Sequence, residues 1–156
     1  MKRKIYALLL GFVLTSAALT ISRPAQAVLG ESADSIASDQ EAISAVRRAK
    51  TVRTGYHVHE AVSDSVSLRE YISPSGVVFG IAWNGLIHPD LTPLLGSYAG
   101  EYGEALRQTP RKPGRRRLQV KTNQVVVEKW GHMRNLKGRA YAPALIPPGV
   151  SVDEIN

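Results

Sequence analysis

The sequence predicts an α+β domain: an N-terminal helix, an antiparallel β-meander, a second amphipathic helix packed on the sheet, and a further β-hairpin. Three observations carry that prediction. Residues 55–85 alternate apolar and polar side chains with a period of two, broken by turn-forming stretches. Residues 91–106 set leucine, tyrosine and alanine at helical intervals. Around Thr122-Asn123 the strand texture returns on both sides of a turn.

The first 27 residues stand outside this domain. Lys2, Arg3 and Lys4 make a positive head, an apolar run follows that is densest from Ala7 to Leu14, and Ala25-Gln26-Ala27 supplies the small residues of a cleavage site. This is the layout of a secretory signal, so cleavage is expected between Ala27 and Val28. The competing reading is an uncleaved anchor, since Ile5 to Ile21 is nearly long enough to span a bilayer. Thr15, Ser16, Thr20 and Pro24 weaken that reading, and an anchor has no use for the Ala-x-Ala site. The expected mature chain is residues 28–156, a single domain of the periplasm or a secreted one, with no membrane span after cleavage.

Composition narrows the function. Taking 27 residues from 156 leaves 129, enough for a core of its own. There is no cysteine, which excludes both a lipoprotein anchor and disulfides. Lys2, Arg3, Lys4 and Arg23 leave with the leader and no acid does, so the net charge of +7 falls to +3. A nucleic-acid partner loses its main support with that correction.

Each element has its reason. The stretch SADSIASDQEAISAVRRAK predicts a helix over residues 34–50: Ser32, Asp34 or Ser35 can cap it, acids come early, and Arg47, Arg48 and Lys50 come late, as the helix dipole favours. Val28 to Glu31 reads as a loose start. TGYHVHEAV and VSLREYIS read as strands around Ser63-Asp64-Ser65. In the turn SPSG, Pro74 presets φ and Gly76 can take positive φ. In VVFGIAWNG, strict alternation puts Val77, Phe79, Ile81 and Trp83 on one face, and Val78, Gly80 and Ala82 on the other. Asp90 or Thr92 caps the second helix and Pro93 suits its first turn. Gly96, Gly100 and Gly103 each cost that helix about 1 kcal/mol relative to alanine, and close packing is their expected purpose. Tyr98 and Tyr102 are expected to face the core. LQVK and QVVVEKW form the hairpin, with a last strand at 138–142 and a proline-rich tail after it.

The segments VLGESADSI, REYISPSGVVFGIAW, HPDLTPLLGSY and GHMRNLKGRAYAPALIPPGVS occur in this order between Val28 and Ile155. In them the chain resembles a family of small exported proteins of Gram-negative bacteria, catalogued as a domain of unknown function. The resemblance implies export and one compact domain. It brings no activity, cofactor or catalytic residue. In the family's Tyr-x-Val-His-Glu tract it matches Tyr56, Val58, His59 and Glu60, leaving His57 at the variable position.

Candidate chemistry is sparse. His57 and His59 would point the same way from a strand, as a metal-holding pair does, but a catalytic zinc takes three protein ligands. Glu60 belongs on the opposite face, and Glu70, His88 or His132 would have to complete the set. Glu60 and Glu70 are the one conceivable carboxylate pair for glycan hydrolysis. The chain has no G-x-S-x-G elbow, no H-E-x-x-H helix and no glycine-rich phosphate loop, so no cofactor is expected. Arg111, Lys112, Arg115, Arg116 and Arg117 make the densest charge cluster. It reads either as a solvated loop or as a contact to a polyanion such as an envelope component or anionic surface. No aromatic residue is interleaved with it, so base stacking is not suggested. Trp83 and Trp130 close strands, where tryptophan plugs a core or anchors a ligand. Taken together, the sequence favours an exported, non-catalytic binding or envelope-accessory protein. A metal-dependent enzyme using His57 and His59 and a polyanion binder using the basic loop are the alternatives.

Overall fold

The computed structural model of the protein describes residues 28–32, 46–110, 112–114 and 116–156. Seven strands form one antiparallel sheet: β1 (Val46–Arg53), β2 (Tyr56–Val62), β3 (Val66–Ile72), β4 (Val78–Gly85), β5 (Arg117–Lys121), β6 (Val126–His132) and β7 (Asn135–Tyr141). Their order across the sheet is β1-β2-β3-β4-β7-β6-β5. The first four strands meander, the chain crosses to the far edge, and the last three meander back until β7 pairs with β4. Short connections make antiparallel neighbours the economical solution within each half.

The expected first helix is corrected. Residues 46–50, its C-terminal end, are the start of β1, and residues 34–45 lie outside the described residues. The Thr54-Gly55 loop, with Gly55 at φ +89°, folds β1 back on β2 so that Lys50 faces His59 and Val52 faces His57. Pairing along β2 satisfies a row of backbone donors and acceptors and overrides the helical propensity of Arg47, Arg48, Ala49 and Lys50.

The crossover carries α1 (Leu91–Leu95), a 3-10 turn (Gly96–Tyr98) and α2 (Ala99–Gln108). The Asp90 side chain caps α1 by accepting from the Thr92 amide at 2.9 Å. The helix breaks at Gly96, which sits at φ +51° with Val28 so close that a Cβ there has no room. Only this glycine of the three fits the packing expectation; Gly100 and Gly103 have open space around them. Leu91, Leu94, Leu95 and Tyr102 bury against Ile72, Ile81, Trp83, Val127 and Ala140 on the facing side of the sheet. Tyr98 is half-buried, against Gly30.

The start is not loose. Leu29 is fully buried, its amide donates to the Leu94 carbonyl at 3.0 Å, and Gly30 and Glu31 bond the Val78 backbone. The alternation expected for β4 also fails at one point. Tyr71 pairs with Gly80 and Ile72 with Val78, so Phe79 is an extra residue, a β-bulge. The bulge sends Val78 to the helix side with Ile81 and Trp83, and Phe79 to the opposite side with Ala82.

That opposite side is covered by the tail. After β7 the chain runs back over the sheet through two 3-10 turns, Pro143–Leu145 and Val152–Glu154. Leu145, Ile146, Val150 and Ile155 close on Tyr56, Val58, Tyr71 and Phe79. Ile155 is fully buried, and a Cβ on Gly80 would lie 2.9 Å from its Cδ1. Polar clamps hold the tail down. Tyr56 donates to Glu154 at 2.8 Å, Arg139 donates to the Val152 and Ile155 carbonyls, and the Tyr71 hydroxyl exchanges hydrogen bonds with the Asn156 backbone. Burial and the bond to Glu154 push the Tyr56 hydroxyl up to about 12. The molecule is therefore three layers: helices, sheet and tail. Among the described residues no helix is long and apolar enough to cross a membrane.

Candidate functional site

The tail covers only part of its side of the sheet. Beside its end lies a hollow of about 220 Å³, rimmed by Ser67, Arg69, Asn84, Trp130, Lys137 and Asn156. Its floor is Ala82, Trp83 and the backbone of Gly138. Gly138 is a glycine because the Trp83 indole occupies the space on its other side.

Register brings the rim together. Ser67 pairs with Asn84, Asn84 with Lys137, and Lys137 with Trp130, so one transverse row runs through β3, β4, β7 and β6. Directly paired residues share a face and stand about 5 Å apart. The next row runs Glu60, Arg69, Ala82, Arg139, Glu128. In that row the acids are used up. Glu60 accepts from Ser67 at 3.0 Å and from Arg69 at 3.3 Å. Glu128, only 2% exposed, accepts from Arg139, from Arg117 at 3.1 Å and from Gln119 at 2.9 Å. Burial pushes the Glu128 carboxyl up, but the bonds and charges of Arg139 and Arg117 outweigh it and hold the group below its ordinary value. The Lys137 ammonium, in contrast, has no carboxylate partner among the described residues. The hollow thus combines an unneutralised cation, an indole, an amide and a hydroxyl on a rigid sheet.

The family model described as protein of unknown function (DUF2844) matches residues 25–155. The chain belongs to this family. No curated protein and no solved structure matches it. The DUF2844 match spans all seven strands and both helices, so every rim residue except Asn156 lies within it.

Elsewhere in this DUF2844 chain the residues expected from sequence take other places. His57 and His59 do share a face of β2, half-buried, and Glu70 stands directly across from His59. His57 Nδ1 is buried without a hydrogen-bond partner. His88 is committed elsewhere: its Nδ1 accepts from Trp83 Nε1 at 2.9 Å. Burial and the nearby Lys129 charge pull His88 down from its ordinary value. His132 is exposed at the end of β6. Among the described residues no three His, Asp or Glu side chains are grouped as a metal ion would need. The Glu60–Glu70 pair does not form, because the two alternate along the register and face opposite sides, Glu60 toward Arg69 and Glu70 toward His59.

The basic cluster divides. Lys112 and Arg116 are exposed in the loop, Arg117 begins β5 and is tied to Glu128, and Arg111 and Arg115 lie outside the described residues. Ala27 also lies outside them, and Val28 is half-buried against Gly96. Both tryptophans line the hollow, but Trp83 is 3% exposed and packed in the core, while Trp130 is half-buried on the rim. A second hollow lies under α2, where the half-buried Lys129 ammonium stands 5.8 Å from the Tyr102 ring and burial lowers its pKa.

Sequence reasoning singled out Trp130 but missed Asn84 and Lys137. Only the alternation of Lys137 and Arg139 in the last strand hinted that this face is polar.

Proposed function

We propose that the protein is an exported, non-catalytic binding protein of the cell envelope, and that its ligand sits in the hollow over β3, β4, β7 and β6. The observation that carries this reading is Lys137: a cation without a carboxylate partner among the described residues, set on a rigid sheet beside an indole. In the neighbouring row Glu60, Arg69, Arg139 and Glu128 are already paired, so Lys137 is the cation of the rim left for a ligand. Export is supported by Lys2, Arg3, Lys4, the apolar run, Ala25-Gln26-Ala27, and the start of the family match at residue 25. Expression of the whole chain in a Gram-negative host tests it. Mass spectrometry of the periplasmic fraction should find a protein that begins at Val28; a product that keeps residues 1–27 and sediments with membranes would refute export. Binding is tested on Lys137→Ala, which should fold normally and lose affinity for a periplasmic small-molecule extract, read by tryptophan fluorescence. Equal response of both proteins would reject the hollow as the binding site.

A second reading places a polyanion on the basic loop, favoured by the exposure of Lys112 and Arg116. Adsorption to anionic vesicles should then weaken with salt and vanish when Arg111, Lys112, Arg115 and Arg116 become serine. Affinity that ignores ionic strength ends this reading.

A further inference from the structure

We infer that the hollow is a subsite for an acidic saccharide, a sugar unit carrying a carboxylate or a phosphate; this rests on the binding-protein reading above and names its ligand class. The first reason is charge. Arg69 and Lys137 stand at the rim, while Glu60 and Glu128 are already held by Arg69, Ser67, Arg139, Arg117 and Gln119. Arg69 is committed to Glu60 and, at 2.6 Å, to the Asn156 carbonyl, so an arriving anion meets chiefly the Lys137 ammonium, and no rim residue carries a carboxylate side chain. Arginine and lysine both bind oxyanions by charge-assisted hydrogen bonds, which are about twice as strong as neutral ones.

The second reason is the kind of polar group beside the cations. The side chains of Asn84 and Asn156 each carry both donor and acceptor groups, the Ser67 hydroxyl, whose hydrogen goes to Glu60, still accepts, and sugar hydroxyls likewise donate and accept. A bare anion would need donors alone. The third reason is Trp130. Its ring face carries partial negative charge, which suits the polarised C–H bonds on one side of a pyranose. One indole on one side is the arrangement a sugar face needs, whereas a nucleobase in a slot is better held between two aromatic planes. The fourth is dimension. Ser67, Asn84, Lys137 and Trp130 occupy four neighbouring strands, so the row is three strand spacings, about 14 Å, from end to end. That length accommodates a disaccharide. The floor at Ala82 and Gly138 lets its ring lie flat near the backbone.

The chain has two tryptophans; both line the hollow, but Trp83 is 3% exposed with its indole N–H held by His88 Nδ1, while Trp130 is half-buried, so the Trp83 indole N–H serves as an internal control. The protein purified from cells expressing the whole chain is labelled with nitrogen-15, and its two indole N–H signals are followed by NMR. The probes are digalacturonic acid, glucose 6-phosphate, maltose, sodium acetate and uridine monophosphate. Saturable movement of the Trp130 signal, with Trp83 fixed, is expected for digalacturonic acid or glucose 6-phosphate. Which of the two binds tighter identifies the anion. Maltose and acetate should each bind at least roughly ten-fold more weakly, the equivalent of one charge-assisted hydrogen bond. Lys137→Gln should weaken the acidic sugar about as much and leave maltose unchanged.

Equal affinity for maltose overturns the acidic part of the inference while leaving the hollow a binding site. Equal affinity for acetate overturns the sugar, and tighter binding of uridine monophosphate replaces it with a nucleotide. If no probe moves Trp130 yet a periplasmic extract does, the ligand class is wrong and the binding-protein reading survives. If neither moves it, both fall.

Discussion

Replacing Gly138 with alanine should cost the fold about 2–3 kcal/mol, and the estimate follows from the packing around that position. A Cβ there would penetrate the Trp83 indole, lying 2.5 Å from Cε2, and would stand 2.7 Å from the Glu128 carbonyl oxygen. Ordinary carbon contacts begin near 3.5 Å and Trp83 Cζ2 would lie closer still than Cε2, so the ring must retreat by more than about 1 Å. It has nowhere to go cheaply: Trp83 is 3% exposed and its Nε1 is held by His88. Overpacking of this kind costs about 1–3 kcal/mol. Losing the Trp83–His88 bond adds about 1 kcal/mol. Relief of the glycine's backbone entropy returns about 0.5–1 kcal/mol. The net loss corresponds to a fall in Tm of roughly 10 °C for a domain of this size. Urea unfolding read in parallel by tryptophan fluorescence and circular dichroism measures it. The control is Gly103→Ala in α2, where nothing lies within 4 Å and alanine should stabilise by about 1 kcal/mol. A midpoint for Gly138→Ala equal to or above that of the parent, at unchanged slope, would refute the reasoning.

Three other outcomes are expected. Ile155→Ala should lose about 3 kcal/mol, the cost of a cavity in a fully buried aliphatic site, and a loss under about 1 kcal/mol would mean that the tail contributes little. Because the folded Glu128 carboxyl is held below its ordinary value of 4.5, its stabilisation is complete above that pH and drains away as pH falls through the lower folded value. Acid unfolding curves should show this limb, and Glu128→Gln should lack it. His88 is likewise depressed below 6.5, so its contribution is present above that pH and lost on acidification; protonation removes the acceptor for Trp83 Nε1, and Trp83 emission should change with a midpoint below 6.5. A His88→Gln variant with the same titration would assign the change to another group.

Much of the fold was legible. Two-residue alternation located β2, β3, β4 and both strands of the β5–β6 hairpin, and the leucine and tyrosine spacing located the crossover helices. The failures share a cause: each depended on a partner strand or surface that the segment's own pattern does not reveal. Residues 46–50 have charges that suit a helix end, and only pairing with β2 makes them a strand. Phe79 leaves the alternation because β3 is one residue short opposite it. Ile155 looks like part of a polar ending until it is placed on Tyr56, Tyr71 and Phe79. The hollow was less legible still. Arg69, Asn84, Trp130 and Lys137 lie on four strands separated by the whole crossover, and a sequence has no local pattern for a row that runs across strands.

The strand order has a consequence for how the chain is made. The last strand, β7, is not at an edge but in the middle, bonded to β4 on one side and β6 on the other. A ribosome delivers it last, so throughout synthesis β4 keeps an unpaired border and the two halves of the sheet are separate ribbons. Tail residues that seal Phe79 and Tyr71 emerge later still. Completion therefore waits for residues 135–155 and requires contacts of long sequence separation, the class that folds slowly. A chain cut short before β7 would present β4 as an open template for β-strand pairing with another molecule.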